Sequence, residues 1–252
     1  MYVGAAGLGM GFADRLIFVP PPPSYGGDLD GLVRLESAEG DTIAARFVEA
    51  PGSQVVILFA HGNAEDMGHG RVHAAGYADL GASILTFDYP GYGLSSGRPS
   101  EEGAYAAVDA AYEHLTQERG FPPEAIIAHG RSLGGGVVVD LASRRRVGGL
   151  VMESSFVSAY RVMTRWPLVP VDQFANLSKL GSVDAPVLVI HGGRDRVVAP
   201  WHGRRLFEAV PEPRRDSLWV EEAGHNDLEA VAGAAYWRTL ARFAAAVAAS
   251  GS

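Results

Sequence analysis

The stretch Gly130-Arg131-Ser132-Leu133-Gly134 holds a serine between two glycines, after a short apolar run and before a helix-forming one. A serine in that setting must make a sharp, strained turn. Glycines are needed on both sides, because a side chain there would collide with the neighbouring strand and helix. The turn lifts the hydroxyl over the carboxyl ends of a sheet, and the helix starting at Leu133 aims its positive end at the same place. Without that setting, the pattern is equally a glycine-rich helix start with a capping serine. A serine hydroxyl also attacks poorly until a base takes its proton and a carboxylate orients the base.

Two later residues fit those roles. Asp195 follows the apolar run Val187 to Ile190, in His191-Gly192-Gly193-Arg194-Asp195, and His225 lies in Ala223-Gly224-His225-Asn226-Asp227 after a further strand. Singly they read as a turn or capping aspartate and a loop histidine. In the order Ser132, Asp195, His225, each at a strand end, they predict a triad. Glu153 and Asp172 are the alternative acids, and Asp227 is expected to cap the last helix. Acyl transfer also needs donors for a developing oxyanion. The expected pair is the backbone N–H of Leu133 and that of Asn63 in His61-Gly62-Asn63-Ala64, with Ala64 as the alternative to Asn63. His61 reads as a strut beneath that loop.

Other polar groups point to less. His69 and His73 have the i, i+4 spacing of a zinc pair, but Gly70 weakens the helix and the adjacent Glu of a zinc protease is missing. No metal and no cofactor are expected. His129 and His191, at strand ends, should be satisfied by local hydrogen bonds. The glycine-rich stretch Asp88 to Gly97 lacks the Lys-Ser/Thr ending of a phosphate-binding loop and reads as a structural turn.

The elements that must position these residues follow from periodicity. Phe12 to Val19 is apolar and stops at Pro20 to Pro23, which must be extended. Leu32 to Glu36 and Thr42 to Val48 form a hairpin about Glu39-Gly40-Asp41. Val55 to Ala60 is a strand buried on both faces, and Ser83 to Phe87, Ala125 to Ala128, Gly149 to Met152, Val187 to Ile190 and Ser217 to Val220 are further strands. Helices are expected over 71–80, from Glu101 (capped by Ser100) to about Arg119, over 133–143, over 201–209 and, as one long closing helix, over 227–248. Strands alternating with helices predict an α/β fold: a mostly parallel sheet between helices, entered through an antiparallel hairpin.

The chain has 252 residues, 47% of them hydrophobic and 20% charged, with no cysteine. One domain with a sizeable core is expected over 1–252, with an extended segment over 1–30. A net charge of −8 argues against a nucleic-acid surface. The basic run Arg144 to Arg146 reads as a helix end facing its dipole. Lacking cysteine, the chain has no thiolate site, disulfide or cysteine nucleophile. No secretory signal or run long enough to span a membrane is read, so a soluble, cytoplasmic protein is expected, with peripheral membrane association open.

Longer stretches now carry a resemblance. Phe59 to Asp66 (FAHGNAED), Asp88 to Ser100 (DYPGYGLSSGRPS), Gly130 to Gly134, Pro186 to Asp195, and Leu218 to Glu221 with Gly224 to Asp227 resemble a family of α/β-hydrolase-domain proteins. Its eukaryotic members include protein depalmitoylases, and related bacterial carboxylesterases share the pattern. The proline-rich opening from Phe18 to Tyr25 is similar too. The resemblance implies the α/β-hydrolase fold, Ser132, Asp195 and His225 as its triad, and cleavage of a carboxylic ester or thioester in a small molecule or an acylated protein. The N-terminal cysteine cluster of the eukaryotic depalmitoylases has no counterpart here, which puts membrane anchoring in doubt. A composition rich in Ala, Arg and Gly suggests a bacterial source.

Residues 155–186, 32 in all, form the longest stretch without a sheet element. Loops of that length are usually functional. Read functionally, they form a small lid lining an apolar acyl pocket with Phe156, Trp166 and Phe174; the plainer reading is core packing. Two rivals stand: a serine peptidase of the same fold, and a catalytically silent binding module.

Overall fold

The computed structural model describes residues 17–163 and 172–250. Trp166 and the start of the N-terminal apolar segment lie outside the described residues. Eight strands form one sheet: β1 (Leu32–Glu36), β2 (Thr42–Val48), β3 (Val56–Ala60), β4 (Ser83–Phe87), β5 (Ile126–Arg131), β6 (Gly149–Glu153), β7 (Val187–Gly192) and β8 (Arg215–Val220). Their order is β1-β2-β4-β3-β5-β6-β7-β8. Only the β1–β2 and β2–β4 pairings are antiparallel, so β2 alone runs against the rest.

Eight helices are described: α1 (Arg71–Asp79), α2 (Glu101–Glu113), α3 (Leu133–Arg144), α4 (Ala159–Met163), α5 (Asn176–Lys179), α6 (Trp201–Ala209), α7 (Leu228–Ala232) and α8 (Ala234–Ser250). The two-residue period of the strands sorts side chains onto two faces. Val56, Leu58 and Ala60 pack with Ala104, Val108, Val137 and Leu141 of α2 and α3. Ile57 and Phe59 pack on the other face with Ala74 and Tyr77 of α1 and Tyr236, Leu240 and Phe243 of α8. Strands so covered read as unbroken apolar runs, which is why β3 was plain in the sequence.

Two helices differ from expectation. The expected helix from Glu101 is α-helical only to Glu113 and then widens into a π turn over His114–Glu118. The single closing helix is two, α7 and α8, broken at Gly233, whose φ of +52° no helix accommodates. Asp227 stands at the N-cap of α7, yet its carboxylate leaves the helix uncapped and accepts instead from Gly224 N–H at 2.6 Å. Ser100 does cap α2, accepting from Gly103 N–H at 3.0 Å.

Strand order reverses beside β3: β4 lies to one side of it and β5 to the other. In open α/β sheets a crevice forms at that switch point, beyond the carboxyl ends of the strands. Ser132 is the first residue past β5.

Candidate active site

Ser132 joins β5 to α3 with φ 51°, a left-handed conformation that costs a non-glycine residue about 1–3 kcal/mol. The surroundings hold it there. Its N–H donates to Glu153 O at 2.8 Å, and Ser155 Oγ donates to its carbonyl at 3.1 Å. A Cβ on Gly130 would stand 2.2 Å from the carbonyl oxygen of Gly134, and one on Gly134 would stand 2.0 Å from that of Ala60. Both flanking glycines are therefore demanded by backbone packing.

Three distant side chains meet at this turn. His225 Nε2 lies 3.1 Å from Ser132 Oγ, and His225 Nδ1 lies 2.7 Å from Asp195 Oδ2. With the proton assigned to Nδ1, the ring donates to Asp195 and presents Nε2 to the serine. The second carboxylate oxygen of Asp195 accepts from Val197 N–H at 2.9 Å and Val198 N–H at 2.8 Å. Burial raises the pKa of this carboxyl, but the bonds from His225 and Val198 outweigh it and hold it below the usual carboxylate range.

The alternative acids are engaged elsewhere. Glu153 is buried, accepts from Tyr236 Oη at 2.6 Å, and has His129 Nε2 at 3.3 Å and Arg131 Nε at 3.5 Å. Burial opposes its charge, but the neighbouring imidazoles of His129 and His73 keep it well below the usual range. Asp172 accepts from Ser158 Oγ and from Tyr160 N–H. The histidine pair does not converge: His69 bonds Asp66, whereas His73 stacks on Phe59 with ring centroids 4.6 Å apart. His129 hydrogen-bonds not locally but across the fold, its Nδ1 lying 2.7 Å from Tyr77 Oη. His191 bonds the nearby Val198 carbonyl at 2.9 Å.

Asn63 and Leu133 line the same cavity as Ser132. Three of the four hydrogen-bonding positions of the Asn63 side-chain amide are occupied: Oδ1 accepts from Tyr92 Oη at 2.7 Å and Val19 N–H at 2.9 Å, and Nδ2 donates to the Ile17 carbonyl. Leu133 opens α3, where an N–H has no intrahelical acceptor. Beneath the loop, buried His61 stands 3.2 Å from Asp88 and 2.7 Å from the Gly62 carbonyl.

A cavity of about 210 Å³ opens at Ser132, lined by Ile17, Asn63, Leu133, Phe156, Ala159, Val162, Val197 and Val198. Of the three aromatic residues expected there, Phe156 is present and Trp166 lies outside the described residues. Phe174 is a correction. Its ring is fully buried against Gly136 of α3, 5.9 Å from the Phe18 ring and 5.6 Å from the Tyr105 ring. The absence of a side chain at Gly136 opens a core socket that captures it. The aliphatic wall of Val162, Val197 and Val198 was missed, although Val197 and Val198 lie only two and three residues past Asp195. A larger cavity, about 470 Å³, lies at the far end of α3 around Arg144 to Arg146. Those arginines are paired with Asp140, Glu113 and Glu124.

Sheet, strained serine turn and C-terminal crevice together define an α/β-hydrolase fold. A family model described as the alpha/beta hydrolase fold matches residues 55–175. Alpha/beta hydrolase domain-containing protein 17B of Xenopus tropicalis is 39% identical over 197 residues, 77% of this chain and 68% of that protein. Protein 17C of Homo sapiens is 41% identical over 201 residues, 77% of this chain but 60% of that one. The chain thus spans only about three fifths of the 17C relatives. In structure it is similar to an esterase of Pyrococcus furiosus, with a TM-score of 0.76 at 19% identity, covering 89% of this chain and 98% of that one. The chain belongs to the α/β-hydrolase superfamily and is similar within it to the domain-containing 17 proteins. No helix among the described residues is long and apolar enough to cross a membrane.

Proposed function

We propose that this chain is a serine hydrolase that cleaves carboxylic esters or thioesters through an acyl-enzyme. The carrying observation is the unbroken relay from Ser132 Oγ to His225 Nε2 at 3.1 Å and from His225 Nδ1 to Asp195 at 2.7 Å, mounted on a strained turn. His225 takes the hydroxyl proton as Ser132 attacks the acyl carbonyl. The backbone N–H groups of Leu133 and Asn63 receive the oxyanion, and Asp195 holds the imidazole and balances its charge. His225 then protonates the departing alcohol or thiol. Water, deprotonated by the same ring, attacks the acyl carbon and releases the acid and free Ser132.

The cavity beside Ser132 is walled by aliphatic side chains, which suits an acyl chain. Within a single domain, we read residues 155–186 as a lid whose described contacts with the cavity come from Phe156 and from Ala159 and Val162 of α4. The substrate is then an acyl ester or thioester, of a small molecule or of an acylated protein. Membership of the α/β-hydrolase superfamily, with similarity to the domain-containing 17 proteins, supports hydrolysis in general.

Labelling by a fluorophosphonate probe tests the reading. Labelling that Ser132→Ala abolishes is expected, and a wild type that does not label would instead favour a binding module. Rates on p-nitrophenyl esters against acyl thioesters then rank the two bond types.

A further inference from the structure

Arg131 fills the variable position before the serine, and nothing in the mechanism above uses it. Its side chain is only 9% exposed. Each guanidinium nitrogen faces a different segment. Nη1 is paired with Glu65 Oε1. Nη2 donates to the carbonyl oxygen of His225 at 3.1 Å and to Asn226 Oδ1 at 2.8 Å. Nε lies 3.5 Å from Glu153 Oε1, at the end of β6. The other oxygen of Glu65 accepts from Gly62 N–H at 3.0 Å, within the loop that carries Asn63.

On the serine-hydrolase reading above, we propose that Arg131 is a positioning residue that ties both the His225 loop and the Asn63 loop to the strand bearing Ser132. The base sits on one of these loops and an oxyanion donor on the other, and no backbone pairing described here joins the two directly. Through Glu65 and Gly62 on one side and the His225 carbonyl on the other, one rigid planar cation sets both distances to the nucleophile. A planar fork with five N–H donors can hold three anchors at once. A lysine ammonium, a single point on a flexible stem, cannot.

Arg131→Lys and Arg131→Ala, with Glu65→Gln as a milder second lesion, test this. The expected loss is about 10- to 100-fold in kcat, the scale set by displacing a catalytic group by about 1 Å, with KM nearly unchanged. Arg131 also lines a cavity of about 220 Å³ that reaches His225 and Asn226. Added guanidinium ion should therefore enter and restore part of the kcat of Arg131→Ala, but none of that of Ser132→Ala. Independently of turnover, the low-field proton resonance of His225 Nδ1–H should shift or vanish in Arg131→Lys and Glu65→Gln.

Variants with wild-type kcat, a loss confined to KM, or a His225 resonance left in place would overturn the assignment. If the wild type neither turns over esters nor labels with fluorophosphonate, the hydrolase reading fails. The resonance still decides the role of Arg131, since it reads the position of the ring rather than catalysis.

Discussion

Gly134→Ala probes the closest backbone approach in the site. A Cβ at this position would stand 2.0 Å from the Ala60 carbonyl oxygen, 2.6 Å from its carbon and 2.8 Å from the His61 carbonyl oxygen, where ordinary contact begins at 3.4 Å. All three atoms are backbone, so no side chain can turn aside. The start of α3 must retreat from the end of β3 by about 1.4 Å, the difference between 3.4 and 2.0 Å. Overpacking of that kind costs about 1–3 kcal/mol, which in a chain of this size lowers Tm by roughly 2–4 °C per kcal/mol. The same retreat carries Leu133 N–H away from Asn63 N–H, and a 1 Å misplacement costs about 100-fold in rate. The assay is kcat/KM on a p-nitrophenyl ester alongside thermal unfolding. Gly181→Ala, where a Cβ meets nothing within 4 Å, serves as control and should keep both rate and Tm. A Gly134→Ala enzyme with wild-type kcat/KM would refute the geometry.

Asp195→Asn should fold yet lose about 10⁴-fold in kcat, because the histidine loses its orienting carboxylate and takes the wrong tautomer; single-turnover kinetics would show it. The Asp195 pKa is lower folded than unfolded, so its stabilisation is complete above the unfolded value near 3.9 and is lost as pH falls through the folded value. The Tm advantage of wild type over Asp195→Asn should accordingly narrow below about pH 4. Burial, with His191 and Arg161 nearby, pushes the His202 pKa down to about 4. The unfolded chain takes that proton first, so stability should fall as pH drops from about 6.5 to about 4 and level off below. His202→Gln should flatten that slope in urea titrations at stepped pH. Phe174→Ala should cost about 3–5 kcal/mol as a core cavity while leaving the ratio of short- to medium-chain ester rates unchanged. Val162→Phe, which fills the cavity at Ser132, should shift that ratio toward short chains.

What the sequence disclosed follows physical rules that act over short range. The central strands β3, β4 and β5 are buried on both faces, and the apolar runs within them could be read without knowing their partners. Ser132 was legible because a strand, a glycine-flanked serine and a helix start lie side by side in the chain. Asp195 and His225 were legible only as strand-end residues; their meeting with Ser132 depends on the register of β7 and β8, which no local pattern reveals. The break at Gly233 was hidden by the unbroken alanine-rich character on both sides of it. Phe174 was misplaced because an aromatic residue in a long insertion looks the same whether it faces a cavity or a core socket, and the deciding partner, Gly136, lies 38 positions away. Arg131 passed unnoticed because a position variable in the motif has meaning only through Glu65, Glu153 and His225.

The spacing of the three proposed catalytic residues rests on the sheet more than on their own contacts. Past the strand ends the parallel ladder continues as a staircase: Ser132 N–H to Glu153 O at 2.8 Å, Ser154 N–H to Ile190 O at 2.8 Å, and Gly193 N–H to Val220 O at 2.9 Å. Each step ties the residue leaving one strand to the next strand along, from β5 through β6 and β7 to β8. Ser132 leaves the first of these, Asp195 follows the third and His225 follows the last. Ser132 and Ser154 keep positive φ values of 51° and 46° within that staircase, conformations that persist only where neighbouring bonds over-determine them. The silent strand is β6, since it supplies no member of the relay yet carries two of the three steps. A lesion that shifts the pairing of β6 should therefore relax the serine turn and move the nucleophile away from both its partners at once, with none of the three residues altered.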